Sequence, residues 1–555
     1  VADRGPGPSR RALLTAAGGL WLAACGRRDP AAPAAAPAAP VGGASGAELA
    51  ARQVLRRGNG VEPETLDPHR AEGVSTSNIL RDLFEGLVTE APDGSLEPGA
   101  AARWETSADG RTWTFTLRPD GRWSNGDPVT AFDFEYGLRR SVDPATLSEY
   151  AAILAPLANA EAVIAGAQPP TALGVQALDA TTLELRLNAP TPYLLGLLTH
   201  SSAYPVHRPS VEQHGPGFTR PGRLVGNGAY VLAEWAVQSH IRLTRNRRFR
   251  DDRATTVDEV WYYPIESADA ELNRYRAGEL DVTSTVPLRQ LGFLREALAD
   301  ELRIAPYLGS YVFGFNVTQP PFRDNPGLRR ALVLALDRAI LTGRITGAGE
   351  LAATTWVPPM PGYASPTPDW AGWSQADREA EARRLYAAAG YSRERPLRVQ
   401  LLYNTDTNHR RLCAAMAAMW REVLGVEAEL QNQEWQVFLQ TRRERLDTQV
   451  FRYGWIGDYQ DPYTFLEILH SRHGLNDMGY ANPAYDALLA AAGAEADAER
   501  RLGLLADAER LLLADLPLIP LYYYVSKQLV KPWVAGLVPN LLDHHYSRHL
   551  RILAH

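Results

Sequence analysis

Eleven residues, Arg452 to Pro462, read Arg-Tyr-Gly-Trp-Ile-Gly-Asp-Tyr-Gln-Asp-Pro, and they restrict the local fold more than any other stretch of the chain. Gly454 and Gly457 stand on either side of Trp455 and leave room for another backbone to approach closely. Trp455 offers a flat apolar surface with one N–H donor. Asp458 follows where the chain leaves a strand pattern. A carboxylate there can hold a cation, most simply an α-ammonium group, through a charge-assisted hydrogen bond. The same residues also suit a Gly-rich turn with Asx chemistry, Asp461-Pro462 opening a helix. Taken alone, the residues leave both readings open.

The wider context carries more. Phe451–Leu469 reads FRYGWIGDYQDPYTFLEIL, and near the C-terminus come Pro520-Leu-Tyr-Tyr-Tyr-Val and Leu529-Val-Lys-Pro-Trp-Val-Ala-Gly. These segments resemble the periplasmic oligopeptide-binding proteins, the large solute receptors of peptide ABC importers. The likeness extends over most of the chain, with several long motifs in the family's order. It implies an α/β, two-lobed periplasmic-binding-protein fold (a Venus-flytrap) with an additional α+β insert. The implied parts are a first lobe from 51–84, 209–307 and 526–555, an insert at 85–208 and a second lobe at 308–525. Two crossing strands, near 308 and near 525, join the lobes.

The resemblance also assigns roles. Asp458 pairs with the amine of a bound peptide, beside Gly454, Trp455 and Ile456. Arg452 and His409 lie toward the ligand's carboxylate. Glu72 and Val74 border the peptide, and Tyr150, Tyr307 and Trp435 line the cleft. Closure of the lobes, main-chain pairing with the extended peptide and hydrated side-chain pockets complete the implied mechanism. The partners are short peptides and the importer's permease subunits with their ATPases. The receptor is expected to be a monomer with no cofactor. Three departures stand out. Some relatives carry cysteines at the positions of Gly309 and Ile456, so a cross-cleft disulfide is not expected here. Ser284-Thr285 replaces a Tyr-Asn-Asn element at the floor of a pocket. Thr346 stands where some relatives place a basic residue.

Charge and motifs exclude other classes. The 555 residues carry a formal charge of −7. Removing residues 1–24, with three Arg and one Asp, leaves −9, and binding nucleic acid needs a basic face. Lys527 and Lys531 are the only lysines, and neither sits in a Walker A setting. Neither Gly-x-Ser-x-Gly nor His-Glu-x-x-His occurs. Gly226-Asn-Gly-Ala-Tyr230 lacks the third glycine of a phosphate loop and reads as a turn into a strand. His200, His207, His214, His544 and His545 show no metal-ligand spacing and read as surface or core residues.

The chain opens with an export signal. Ser9-Arg10-Arg11 resembles a twin-arginine leader, and the apolar run Ala12–Ala24 is too short to span a bilayer. It ends Leu22-Ala23-Ala24-Cys25, which resembles a lipobox, so Cys25 is the expected lipidation site and the protein is placed in the periplasm, anchored to a bacterial membrane. The Ala/Pro-rich stretch 26–50 reads as a disordered linker. Cys413, in an apolar helical pattern, reads as a buried thiol. Helices are expected over 77–86, 328–341 and 409–424, with Ser374 and Asp377 capping another and Gly390 ending it. A receptor of the same fold for murein peptide, haem or another non-standard ligand remains an alternative, as does an enzyme or structural lipoprotein on this scaffold.

Overall fold

The computed structural model describes residues 48–555, so Cys25 and the leader lie outside the described residues. Glu48–Ala50, expected within the linker, instead meet the C-terminus: Ala50 N–H donates to the Ile552 carbonyl and Ala554 N–H to that of Glu48.

The first lobe is built on a four-stranded sheet in the order Val54–Gly58, Glu259–Tyr263, His240–Arg245, Tyr230–Ala236. Val54–Gly58 runs parallel to its neighbour and the other pairs are antiparallel. The insert has its own antiparallel sheet, Ala101–Thr106, Thr112–Leu117, Thr182–Arg186 and Val175–Ala177. The helix Ala131–Val142 packs on it, opened by a reciprocal capping box between Thr130 and Asp133. One continuous apolar core runs from Leu55 and Leu243 of the first sheet to Phe115, Phe134 and Leu183 of the insert. Insert and first lobe therefore share one interior.

The second lobe carries a six-stranded mixed sheet, ordered Leu351–Ala352, Leu518–Leu529, Leu302–Phe315, Val450–Ile456, Arg398–Asn404, Glu427–Gln433. Strand alternation divides its apolar residues between two cores. Tyr311, Phe313 and Phe315 join Trp420 and Met416 on one face, while Val312, Tyr453 and Trp455 join Trp356 and Phe465 on the other. Cys413, from the helix Thr407–Leu424, is fully buried in the first of these cores.

Leu302–Phe315 and Leu518–Leu529 are the two connecting strands. They pair antiparallel, with a register shift between Pro306 and Ser310. On the first-lobe side Thr283 and Leu529 exchange hydrogen bonds, Thr283 N–H to the Leu529 carbonyl and Leu529 N–H to Thr283 Oγ1. The second connecting strand passes position 525, where a crossing was expected, and ends at Leu529.

Two helices differ from expectation. The one expected over 77–86 spans Val74–Leu83, starting at Gly73 with φ +83°. The run expected over 328–341 divides into Pro326–Leu334 and Arg338–Ile340, followed by a π-helical turn, Leu341–Thr346. Asp337 forces the division: its side chain accepts from Ile340 N–H and caps a new start. Arg338 is buried and donates to the Val333, Leu336 and Pro520 carbonyls, closing the helix end that Asp337 interrupts. Ser374 and Gly390 behave as expected, capping and ending the helix Gln375–Ala388.

Candidate functional site

Val450–Ile456 pairs through its whole length with Gly309–Phe315. Its opposite edge pairs with Arg398–Asn404 only at Val450 and Phe451. From Arg452 to Ile456 that edge has no strand partner among the described residues, and these residues line a cavity of about 460 Å³. The facing wall comes from the first lobe: Gly58–Val61 after the first strand, Ala71–Ser75 at the start of the helix, and Val282–Thr285. The insert contributes Tyr150 and Thr199–Ser201. The cavity thus sits where the three parts meet, bounded by both connecting strands through Tyr307 and Tyr524.

Every residue expected at a ligand lines this cavity: Glu72, Val74, Tyr150, Tyr307, His409, Trp435, Arg452, Gly454, Trp455, Ile456 and Asp458. Ser284 and Thr285 line it too, whereas Thr346 is buried elsewhere and donates to the Thr342 carbonyl.

Asp458 holds an under-compensated carboxyl. Its Oδ2 accepts from the Thr464 hydroxyl at 2.8 Å, and Oδ1 lies 3.7 Å from His200 Nε2. His200 does not neutralise it. Its Nδ1 accepts from Ser202 N–H at 3.2 Å, which puts the single ring proton on Nε2. Burial, then the Arg81 guanidinium, hold His200 down at about 3, so the ring is neutral. With no cation in contact among the described residues, burial pushes the Asp458 carboxyl up to about 7, opposed by the Thr464 hydroxyl and the more distant Arg81 guanidinium.

Arg452 has no carboxylate partner among the described residues. Its guanidinium donates from Nη2 to the Tyr524 hydroxyl at 2.9 Å and lies over the Tyr311 ring, 5.2 Å from the centroid. His409 Nδ1 lies 3.0 Å from the Tyr311 hydroxyl. Burial lowers His409 to about 4, so it too is neutral. The cavity therefore offers a carboxyl at one place and a free guanidinium at another, beside an open strand edge.

Several expectations are corrected. At Gly454 the close backbone approach is present, with the Ser310 carbonyl 3.1 Å from where a Cβ would stand, but the tighter neighbour is a side chain, the Tyr524 hydroxyl at 2.7 Å, and at Gly457 the clearance serves Leu308 Cδ2 at 2.8 Å. Trp455 is not an open aromatic wall, for its ring stacks on Tyr150 at 5.8 Å and Tyr150 stacks in turn on His200 at 4.8 Å. Gly309 and Ile456 are direct partners on adjacent strands of one sheet. A bridge at those positions would staple two strands within a lobe, not span the cleft. Glu72 is engaged across the cleft by Arg443 at 2.6 Å. His200 and His544, read from sequence as ordinary surface or core residues, both line the cavity with Arg81, Asn78 and Gln528. Nothing in their sequence spacing marks them, because the fold gathers them from segments hundreds of residues apart.

Two lobes on crossing strands, an insert and a buried, charged cleft between them define a solute receptor. Residues 95–476 match the profile of the bacterial extracellular solute-binding proteins, family 5 Middle. The chain belongs to that family. It is 42% identical over 516 residues to the periplasmic oligopeptide-binding protein OppA of Escherichia coli K12, covering 92% of this chain and 94% of the relative. The solved structure of the Escherichia coli murein tripeptide-binding protein MppA superposes with a TM-score of 0.89 at 39% identity, covering 91% of this chain and all of that one. An unliganded open form of MppA gives 0.66 at the same identity, covering 92% and 99%. Equal identity with unequal superposition isolates the placement of the lobes, and the cross-cleft contact of Arg443 with Glu72 agrees: the structure is that of a closed receptor. Among the described residues no helix is long and apolar enough to cross a membrane, and no cluster of His, Cys, Asp and Glu is arranged to hold a metal ion.

Proposed function

We propose that this protein is the peptide receptor of an ABC importer, taking up short peptides in extended form between its lobes and presenting the closed complex to the permease subunits. Asp458 carries the reading. A buried carboxyl without a cation, at the end of an unpaired strand edge, suits a ligand with a free amine and a main chain able to add to that edge. Arg452 is suited to the opposite charge, the terminal carboxylate, with His409 beside it. The relatives named for oligopeptides and for murein peptide both bind ligands of this chemical kind. The chain acts as a receptor, a monomer in the periplasm that performs no catalysis. The acylated Cys25 tethers it to the membrane.

Calorimetry with a tripeptide and its N-acetylated form tests the reading. Losing one member of a buried charge pair costs about 3–5 kcal/mol, so acetylation or Asp458→Ala should weaken binding by orders of magnitude. Exchanging the middle residue should matter far less, since water in a pocket adapts to different side chains. Equal binding of acetylated and free peptide would refute the amine anchor. Cys25→Ser should release the protein from membranes on fractionation; unchanged partitioning would refute the tether.

A further inference from the structure

Arg81 enters the cavity from the helix Val74–Leu83. It has no ion-pair partner among the described residues. Its hydrogen bonds go to Asn78 Oδ1, at 3.4 Å, and to His544 Nε2. Behind it stands a buried chain. Glu90, only 1% exposed, accepts from His544 Nδ1 at 2.8 Å and from the Tyr546 hydroxyl at 3.3 Å. A guanidinium can only donate, so His544 Nε2 must be the acceptor and Nδ1 must carry the proton. Burial and the adjacent guanidinium keep His544 below its ordinary pKa, in that neutral form. Burial alone would raise the Glu90 carboxyl, but His544 and Arg81 overcome it and hold the carboxyl ionised. The negative charge therefore sits two groups behind the cavity, and the chain aims a guanidinium that keeps N–H bonds uncommitted.

The charge balance of the cavity indicates what those N–H bonds would take. Arg442 is paired with Asp477 and Glu72 with Arg443, and the two oxygens of Asp543 are taken up by His545 Nε2 and Gln528 Nε2. Arg57 is 6% exposed and has its hydrogen bonds committed to the His545 carbonyl and the Ser547 hydroxyl. Asp458, Arg452 and Arg81 are left with neither an opposite charge in contact nor a full set of partners among the described residues. A zwitterionic peptide supplies one cation and one anion, so a second anion is wanted. Its place follows from packing. The helix Val74–Leu83, which carries Arg81, packs against Ser201–Ala203, directly after His200. His200 Nε2 lies 3.7 Å from Asp458 Oδ1, whereas Arg452 is held by Tyr524 and Tyr311 beside His409. Arg81 belongs to the amine end.

We propose that Arg81, aimed by the Glu90–His544 chain, is a second anion-binding point beside the amine anchor, and that the receptor favours peptides whose first residue carries a side-chain carboxylate. This inference rests on the assignment of Asp458 as the amine anchor. An Arg–carboxylate contact in a cleft closed to water is directional and charge-assisted, so exchanging carboxylate for amide should be read clearly.

The test is calorimetry at neutral pH with Glu-Ala-Ala, Gln-Ala-Ala, Lys-Ala-Ala and N-acetyl-Glu-Ala-Ala. Glu-Ala-Ala should bind about tenfold tighter than Gln-Ala-Ala, the worth of one hydrogen bond to a charged group, with Lys-Ala-Ala weakest of the three free peptides. The Glu-to-Gln ratio within each variant is the readout, because a general loss of structure would lower both affinities together. Arg81→Gln should collapse the ratio to about one, Arg81→Lys should restore part of it, and His544→Asn should diminish it by leaving the guanidinium unaimed. A wild-type ratio within about twofold of unity, or a full ratio kept by Arg81→Gln, would overturn the proposal. If acetylation still weakens Glu-Ala-Ala while the ratio is flat, only the Arg81 site fails. If acetylation costs nothing, the amine anchor fails and this inference with it.

Discussion

Arg443 and Glu72, 371 residues apart in the chain, meet with Nη2 and Oε1 2.6 Å apart, and Arg443 Nε lies 3.5 Å from Glu149 Oε1. Glu72 belongs to the first lobe, Glu149 to the insert and Arg443 to the second lobe. One guanidinium thus touches a carboxylate of the first lobe and a carboxylate of the insert, the two parts that share one apolar core. The contact can exist only while the cleft is shut, so it acts on the open–closed equilibrium.

Arg443→Ala should shift the ligand-free protein toward open forms and weaken peptide binding. The Arg443 side chain is 37% exposed, so solvent screening limits the effect to about 1 kcal/mol. Small-angle scattering of the ligand-free variant should show a larger radius of gyration, and calorimetry a several-fold weaker affinity for a peptide with neutral side chains. Unchanged scattering and affinity would mean that the pair contributes nothing to closure.

Asp458 gives closure a pH dependence. In the closed, empty cleft burial pushes its carboxyl up to about 7. In an open cleft water reaches it and an ordinary value of about 3.9 applies. The closed form therefore holds a proton that the open form releases. Protonation favours empty closure fully below about pH 4, and the advantage is lost as pH rises through about 7, where it levels off. Burial also raises Glu72 and Glu64 and, with the opposite sign, lowers His200 and His409, which favour opening in acid, so the readout is the difference between wild type and Asp458→Asn. Between about pH 8 and about pH 5 the ligand-free wild type should gain compactness relative to Asp458→Asn, as followed by small-angle scattering. The same pH dependence in both proteins would contradict the assignment.

What could be read from the sequence depended on range. The strand 450–456 and its successor Asp458 announce themselves through alternation and two glycines, and the helix after Ser374 through its cap. The helix break at Asp337 was carried by a single capping residue inside an apolar period, and the period hid it. His200 was invisible for a different reason: its closeness to Asp458 arises only when the insert packs against the second lobe. The stack of Tyr193 on Tyr459, with ring centroids 4.9 Å apart, belongs to the same interface. Local pattern gives elements, whereas the pairing of Arg81 with His544 depends on how the chain's end returns to the first lobe.

Gly454 is where the close-approach argument can be tested directly. The missing Cβ leaves space for the Tyr524 hydroxyl, which would otherwise stand 2.7 Å away, with the Ser310 carbonyl at 3.1 Å. That hydroxyl accepts from Arg452 Nη2. Tyr524 has little room to yield, since its ring packs edge-on against Tyr311 and Tyr522, at 5.7 and 5.8 Å. Gly454→Ala should therefore destabilise the protein by about 1–3 kcal/mol, the usual cost of overpacking, and dislodge the acceptor that fixes Arg452. Peptides with a free terminal carboxylate should lose more affinity than their amides. Tyr524→Phe in the Gly454→Ala background removes the clashing oxygen, so thermal stability should partly return while the carboxylate preference does not. If Gly454→Ala melts with the wild type, the glycine is not there for clearance, and the position of Arg452 must be set by Tyr311 alone.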